Sequence, residues 1–142
     1  MGDRTWVGIT YAKTDEKAVL EAFNWPADQY ECLNLQEEHG VVTANLDEVN
    51  WGGISEMQAL AKKGITFVAH AGAGGSYGES LNVGYRGEFV DVSAYEGYPT
   101  CVIKDNGRPD PKTMKHIRMF LRLMKKANRE LERIQATNQK AA

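Results

Sequence analysis

The residues with the most chemical promise form one stretch in mid-chain, where Ala71-Gly72-Ala73-Gly74-Gly75-Ser76-Tyr77-Gly78-Glu79 follows His70. Closely spaced glycines let successive backbone N–H groups curl around an anion, as phosphate loops do. The stretch therefore nominates a ligand loop of His70, Gly72, Gly74, Gly75, Ser76, Tyr77 and Glu79. It lacks the Lys-Ser/Thr ending of a nucleoside-triphosphate loop. Strand-like sequence follows it, so no helix N-terminus stands ready for a pyrophosphate. The plainer expectation is a turn between strands that needs positive φ angles.

The other reactive side chains are scattered. His39, His70 and His116 fall in three different elements, and none has a partner at the i+3 or i+4 spacing of a helical metal site. No Gly-x-Ser-x-Gly nucleophile motif is present. Glu37-Glu38 and Asp47-Glu48 read as solvated carboxylates, since nothing around them predicts burial that would shift a pKa. Cys32 and Cys101 lack the CxxC spacing of a zinc or redox site and are expected to be buried thiols. No catalytic residue, metal or cofactor is nominated, and the sequence reads as that of a binding protein.

A second pattern lies near the C-terminus. From Pro111 to about Gln135 there is no Gly or Pro, and Asp110-Pro111 is the pairing expected at a helix start. Ile117, Leu121, Met124, Asn128 and Leu131 follow a heptad seam, with Asn128 as a polar position of the kind that fixes register. These five residues are candidates for self-association. Phe120, Ala127 and Ile134 widen the stripe, as they would in a helix that also lies on a sheet. Beside the seam, Lys115, Arg118, Arg122, Lys125 and Arg129 recur every three or four residues and share a face that can follow phosphates.

Charge is segregated along the chain. Residues 1–103 hold 15 acidic and 6 basic residues, whereas residues 104–142 hold 4 and 11, within a net charge of −2. An acidic body carrying a basic arm is implied. Tyr85, Tyr95 and Tyr98 crowd the end of the body, and exposed tyrosines give rigid contact area for a protein partner.

These side chains need a scaffold. Alternation marks strands over Thr5–Ala12, Tyr30–Leu35, Val41–Leu46, Ile65–His70, Leu81–Tyr85, Glu88–Ser93 and Tyr98–Lys104. Helices are expected after Thr14 as N-cap, ending by Pro26, and from Ile54 to Gly64. The fold class is α+β: a single domain with a mixed or antiparallel sheet, two short helices packed on it, and a long basic amphipathic C-terminal helix. The helices are expected on one face. Residues 1–104 form the body, 105–137 the turn and long helix, and 138–142 a disordered tail.

No run approaches the ~20 apolar residues of a membrane span, and the charged first residues contain no signal-peptide core. The cytoplasm is the expected compartment. The leading functional expectation is a non-catalytic protein-binding or regulatory module, homo-oligomeric through its last helix. One concrete form is an acidic inhibitor of a nucleic-acid-handling protein. The alternatives are a nucleic-acid-binding protein using the basic stripe and a small-molecule or nucleotide-binding domain using loop 71–79.

Overall fold

A computed structural model describes residues 3–25 and 34–141. Seven strands, β1 (Arg4–Ala12), β2 (Asn34–Glu38), β3 (Val41–Asn50), β4 (Phe67–Ala71), β5 (Ser80–Tyr85), β6 (Glu88–Tyr95) and β7 (Tyr98–Pro99), form one sheet. Their order is β2-β3-β1-β4-β5-β6-β7, and every neighbouring pair is antiparallel. Helices α1 (Glu16–Ala22) and α2 (Ile54–Lys62) lie between strands, and α3 (Pro111–Ala141) ends the chain. The architecture is α+β.

Three hairpins close on the same two-residue chemistry. His39-Gly40, Arg86-Gly87 and Glu96-Gly97 all have positive φ at both residues, the geometry whose twist matches that of the flanking strands. Glycine at the second position removes half of the steric cost.

Helices cover both faces of the sheet, not one. Alternation along β4 shows why: Phe67, Ala69 and Ala71 join a core with Val19 and Leu20 of α1 and Met57, Leu60 and Ala61 of α2. Val68, which points the other way, joins Val83, Val90 and Val92 beneath Ile117, Phe120, Leu123 and Ala127 of α3. A strand that is apolar at successive positions must be covered twice.

Several boundaries move. Thr14 does not cap α1; Lys13–Asp15 form a 3-10 turn, and Asp15 takes the cap position without a side-chain bond. The strand expected over Tyr30–Leu35 lies mostly outside the described residues, as does Cys32, and pairing with β3 instead runs from Asn34 to Glu38. The strand expected over Tyr98–Lys104 stops at Pro99. Proline has no N–H for a ladder, and the chain leaves the edge after Thr100 donates its N–H to the Ser93 carbonyl at 2.9 Å. The residues expected as a tail are the last turn of α3 as far as Ala141. Side-chain amides hold that end down: Gln135 donates to the Glu38 carbonyl at 3.3 Å and Asn138 to that of His39 at 3.0 Å.

The start of α3 is as expected. The Asp110 carboxylate accepts the Thr113 N–H at 3.0 Å and its hydroxyl at 2.8 Å. These contacts hold the Asp110 carboxyl below its ordinary value, the Thr113 hydroxyl most of all. From there α3 runs diagonally over the sheet. It begins beside β6, where His116 bonds the Asp91 carbonyl at 2.6 Å, and it ends over the β2–β3 turn.

Candidate functional site

The diagonal course of α3 fixes what its side chains face. Ile117, Phe120, Leu123, Ala127 and Leu131 are buried, at helical spacings of three, three, four and four. Two residues of the expected seam, Ile117 and Leu131, are thus turned onto the chain's own sheet, and Met124 and Asn128 are half-buried beside them. Leu121 is left exposed on the flank.

The basic stripe lies opposite the buried one. Lys115, Arg118, Arg122, Lys125 and Arg129 are all exposed, as are the flanking Lys126 and Arg133. Among the described residues, none of the seven has a carboxylate within 4.0 Å; the ion pairs are Arg4–Glu48, Lys13–Glu16, Lys13–Glu37 and His70–Glu79. At 1.5 Å per residue the row from Lys115 to Arg133 is about 27 Å long. On one flank, Lys126, Arg129 and Arg133 join Arg86 around a groove of about 430 Å³ that Glu88 and Glu130 also line. Arg86 also lies 5.2 Å from the centre of the Tyr85 ring, and Tyr85 itself is half-buried against the α3 core.

On the other flank the sheet is open. Cross-strand pairing sets two rows on the α3 face: Asn34, Asn45, Gly8, His70 and Leu81, then Gln36, Thr43, Thr10, Val68 and Val83. Each row is polar over β2, β3 and β1 and becomes apolar where α3 covers it. Trp6 closes the open end, 46% exposed and edge-on to the His70 ring at 4.8 Å. With Phe120 and Met124 as a wall, this open part forms a groove of about 380 Å³. Thr10 and Thr43 hydroxyls bond each other at 2.9 Å, whereas the Asn34, Gln36 and Asn45 amides have no side-chain partner among the described residues.

The Gly-rich loop is brought to the same end of the sheet, but its anion is internal. The Asp3 carboxylate accepts the N–H groups of Gly75, at 2.8 Å, and Ser76. Those bonds, that of Gly75 foremost, hold the Asp3 carboxyl below its ordinary value. Gly72 and Gly74 donate to the carbonyls of Trp6 and Tyr77. Tyr77 donates its hydroxyl to the Asp3 carbonyl at 3.1 Å and lies 5.6 Å from the Trp51 ring, while burial raises its own pKa. Trp51, with φ of 54°, donates its N–H to the same carbonyl at 2.7 Å.

His70 and Glu79 form a second tie. Nε2 of His70 is 2.6 Å from Glu79, whose carboxylate also accepts the N–H groups of Gly97 at 2.7 Å and Glu96 at 3.0 Å. The Gly97 bond first and the His70 bond second hold Glu79 below its ordinary pKa. One carboxylate therefore joins β4, the loop and the β6–β7 turn. Tyr95 and Tyr98 flank that turn and are strongly exposed, and Cys101, expected to be buried, is half-buried in a loop.

Trp6, Asn34, Gln36 and Asn45 did not emerge as candidates from the sequence. The available signal was the alternation Val42-Thr43-Ala44-Asn45-Leu46, which puts Thr43 and Asn45 on one face without saying that the face stays open. Asp3 had no signal, because its partners are 72 and 73 residues away.

No family model, no curated protein and no solved structure matches this chain. No helix among the described residues is long and apolar enough to cross a membrane.

Proposed function

We propose that the chain is a non-catalytic binding module that engages nucleic acid through the solvent face of α3. The observation that carries the reading is the row of seven cations on that face, exposed and without a carboxylate partner among the described residues. Cations that neutralise phosphates release counterions, so such binding is salt-dependent and largely independent of sequence. The acidic remainder of the chain repels the polyanion and so directs its phosphates to this face.

The test is fluorescence anisotropy with labelled 12-nucleotide single strands and 12-bp duplexes between 50 and 200 mM salt. For a single strand held by five cations the log–log salt slope is about −3.5, and the triple change Arg118→Ala, Arg122→Ala, Lys125→Ala makes it shallower by about 2. Absence of binding at 50 mM salt, or an unchanged slope in the triple variant, would refute the reading.

A protein partner is the second reading. It is favoured by Tyr95 and Tyr98 (69% and 74% exposed) together with the exposed Val102 and Ile103, beside a strand edge. Affinity capture with the parent and with a Tyr95→Ala, Tyr98→Ala variant tests it; equal recovery of the same partner by both would eliminate this surface.

A further inference from the structure

We infer that the uncovered half of the sheet is a track for single-stranded nucleic acid: bases on the sheet, phosphates along α3. The inference rests on the reading of the α3 face given above and specifies the form of its ligand.

The floor of the track has an unusual composition. Trp6, Gly8 and Thr10, Thr43 and Asn45, and Asn34 and Gln36 face the open side of β1, β2 and β3, and Glu38 continues the β2 row at the turn. Only Glu38, at the turn, is charged, although Asp, Glu, Lys and Arg make up 25% of the chain. An ordinary solvated sheet face mixes charges of both signs. This one offers amides and hydroxyls with unused hydrogen-bonding capacity, which is the chemistry that reads base edges. The Asn34, Gln36 and Asn45 amides, without a side-chain partner among the described residues, each present a donor and an acceptor.

Trp6 supplies the stacking surface. Its indole is nearly half exposed, and Gly72 makes room for it, since a Cβ at Gly72 would collide with the indole nitrogen. Single-strand binders combine such aromatic platforms with a cationic path for the backbone. Here the path is the α3 flank above Met124. Arg118 and Lys125 lie one helical turn either side of exposed Leu121, at three and four residues, and so border the same edge of the helix. A duplex keeps its bases stacked inside and would leave the amide floor and Trp6 without partners, using only the cations.

The experiment compares a 12-nucleotide single strand with the matching duplex, on the full chain at 100 mM salt. It follows anisotropy and the side-chain amide signals of ¹⁵N-labelled protein. The single strand is expected to bind at least tenfold more tightly, and it alone should shift the Asn34, Gln36 and Asn45 amide signals. Trp6→Ala is expected to weaken the single strand by about tenfold and the duplex little. Because Trp6 touches Gly72 and His70, the exposed double change Gln36→Ala, Asn45→Ala provides a second variant that leaves the core intact. It should weaken the single strand several-fold. Duplex binding as tight as the single strand, with both variants unchanged and the amide signals unmoved, would overturn the track while leaving α3 as a phosphate-binding face. If neither form binds, the α3 reading fails and the track with it.

Discussion

Phe120 and Leu121 are neighbours in sequence and opposites in environment, and replacing each with Ala tests how α3 is seated. Phe120 is 1% exposed among Val83, Val90, Ile117, Leu123 and Ala127, whereas Leu121 is 43% exposed. Truncating a buried Phe to Ala costs about 3–5 kcal/mol, from lost transfer energy and the cavity left behind. Better helix propensity of Ala returns about 0.5 kcal/mol. A net loss of about 3–4 kcal/mol is a large part of the ~5–15 kcal/mol by which domains are stable. Leu121→Ala should stay within about 0.5 kcal/mol. Urea unfolding followed by circular dichroism, at two protein concentrations and with the m-value checked, measures both. A heptad seam shared with a second copy gives the opposite pattern: Leu121→Ala becomes the costly change, and the midpoint rises with protein concentration. A cost for Phe120→Ala below about 1 kcal/mol, or one smaller than that for Leu121→Ala, would refute the packing described here.

Three further outcomes are expected. Gly84→Ala drives a Cβ into the ring of fully buried Phe67, so it should cost about 1–3 kcal/mol in the same unfolding assay. Glu79 has a folded pKa below its unfolded one, so its stabilisation is present above about pH 4 and is lost as pH falls through the lower folded value. The gap in Tm between the parent and Glu79→Gln should accordingly be open at pH 6 and close at strongly acid pH; a pH-independent gap counts against the tie. Asp15 behaves in the opposite sense. Burial first, and the charge of Glu130 second, raise its pKa, so its ionised form is a penalty at neutral pH. Asp15→Asn should raise Tm at pH 7 and leave it unchanged at pH 3, where the carboxyl is protonated in both states.

Much of the scaffold was legible because period-2 alternation and turn chemistry are local. The Asp110-Pro111 start of α3, the Gly64 stop after α2 and the Arg86-Gly87 turn all follow from a few adjacent residues. The seating of α3 did not. Ile117 and Leu131 belong both to a 3.5-residue seam and to a 3.6-residue stripe, and over two heptads the two periods diverge by only ~40°. The sheet beneath selects the stripe through Phe120 and Leu123. Coverage of both faces was hidden for a related reason. Alternation sets Val68 and His70 opposite Phe67 and Ala69, and only the arrival of α3 packs Val68 against a second core. The Gly-rich loop was legible as a turn with the option of a ligand, and its tie to Asp3 was not, because that contact spans 72 residues.

The diagonal strap formed by α3 also dictates how the chain matures. Synthesis runs from N- to C-terminus, so all seven strands are complete before the helix that covers Val83, Val90 and Val92 exists. During that interval an apolar strip over β5 and β6 faces the cell, the situation in which nascent sheets associate with one another. The far turn of α3, at Asn138, reaches back to His39 in one of the earliest hairpins. A chain halted early in α3 would therefore hold a finished sheet that is adhesive on one side, and protection would come only with the 31 residues of that helix.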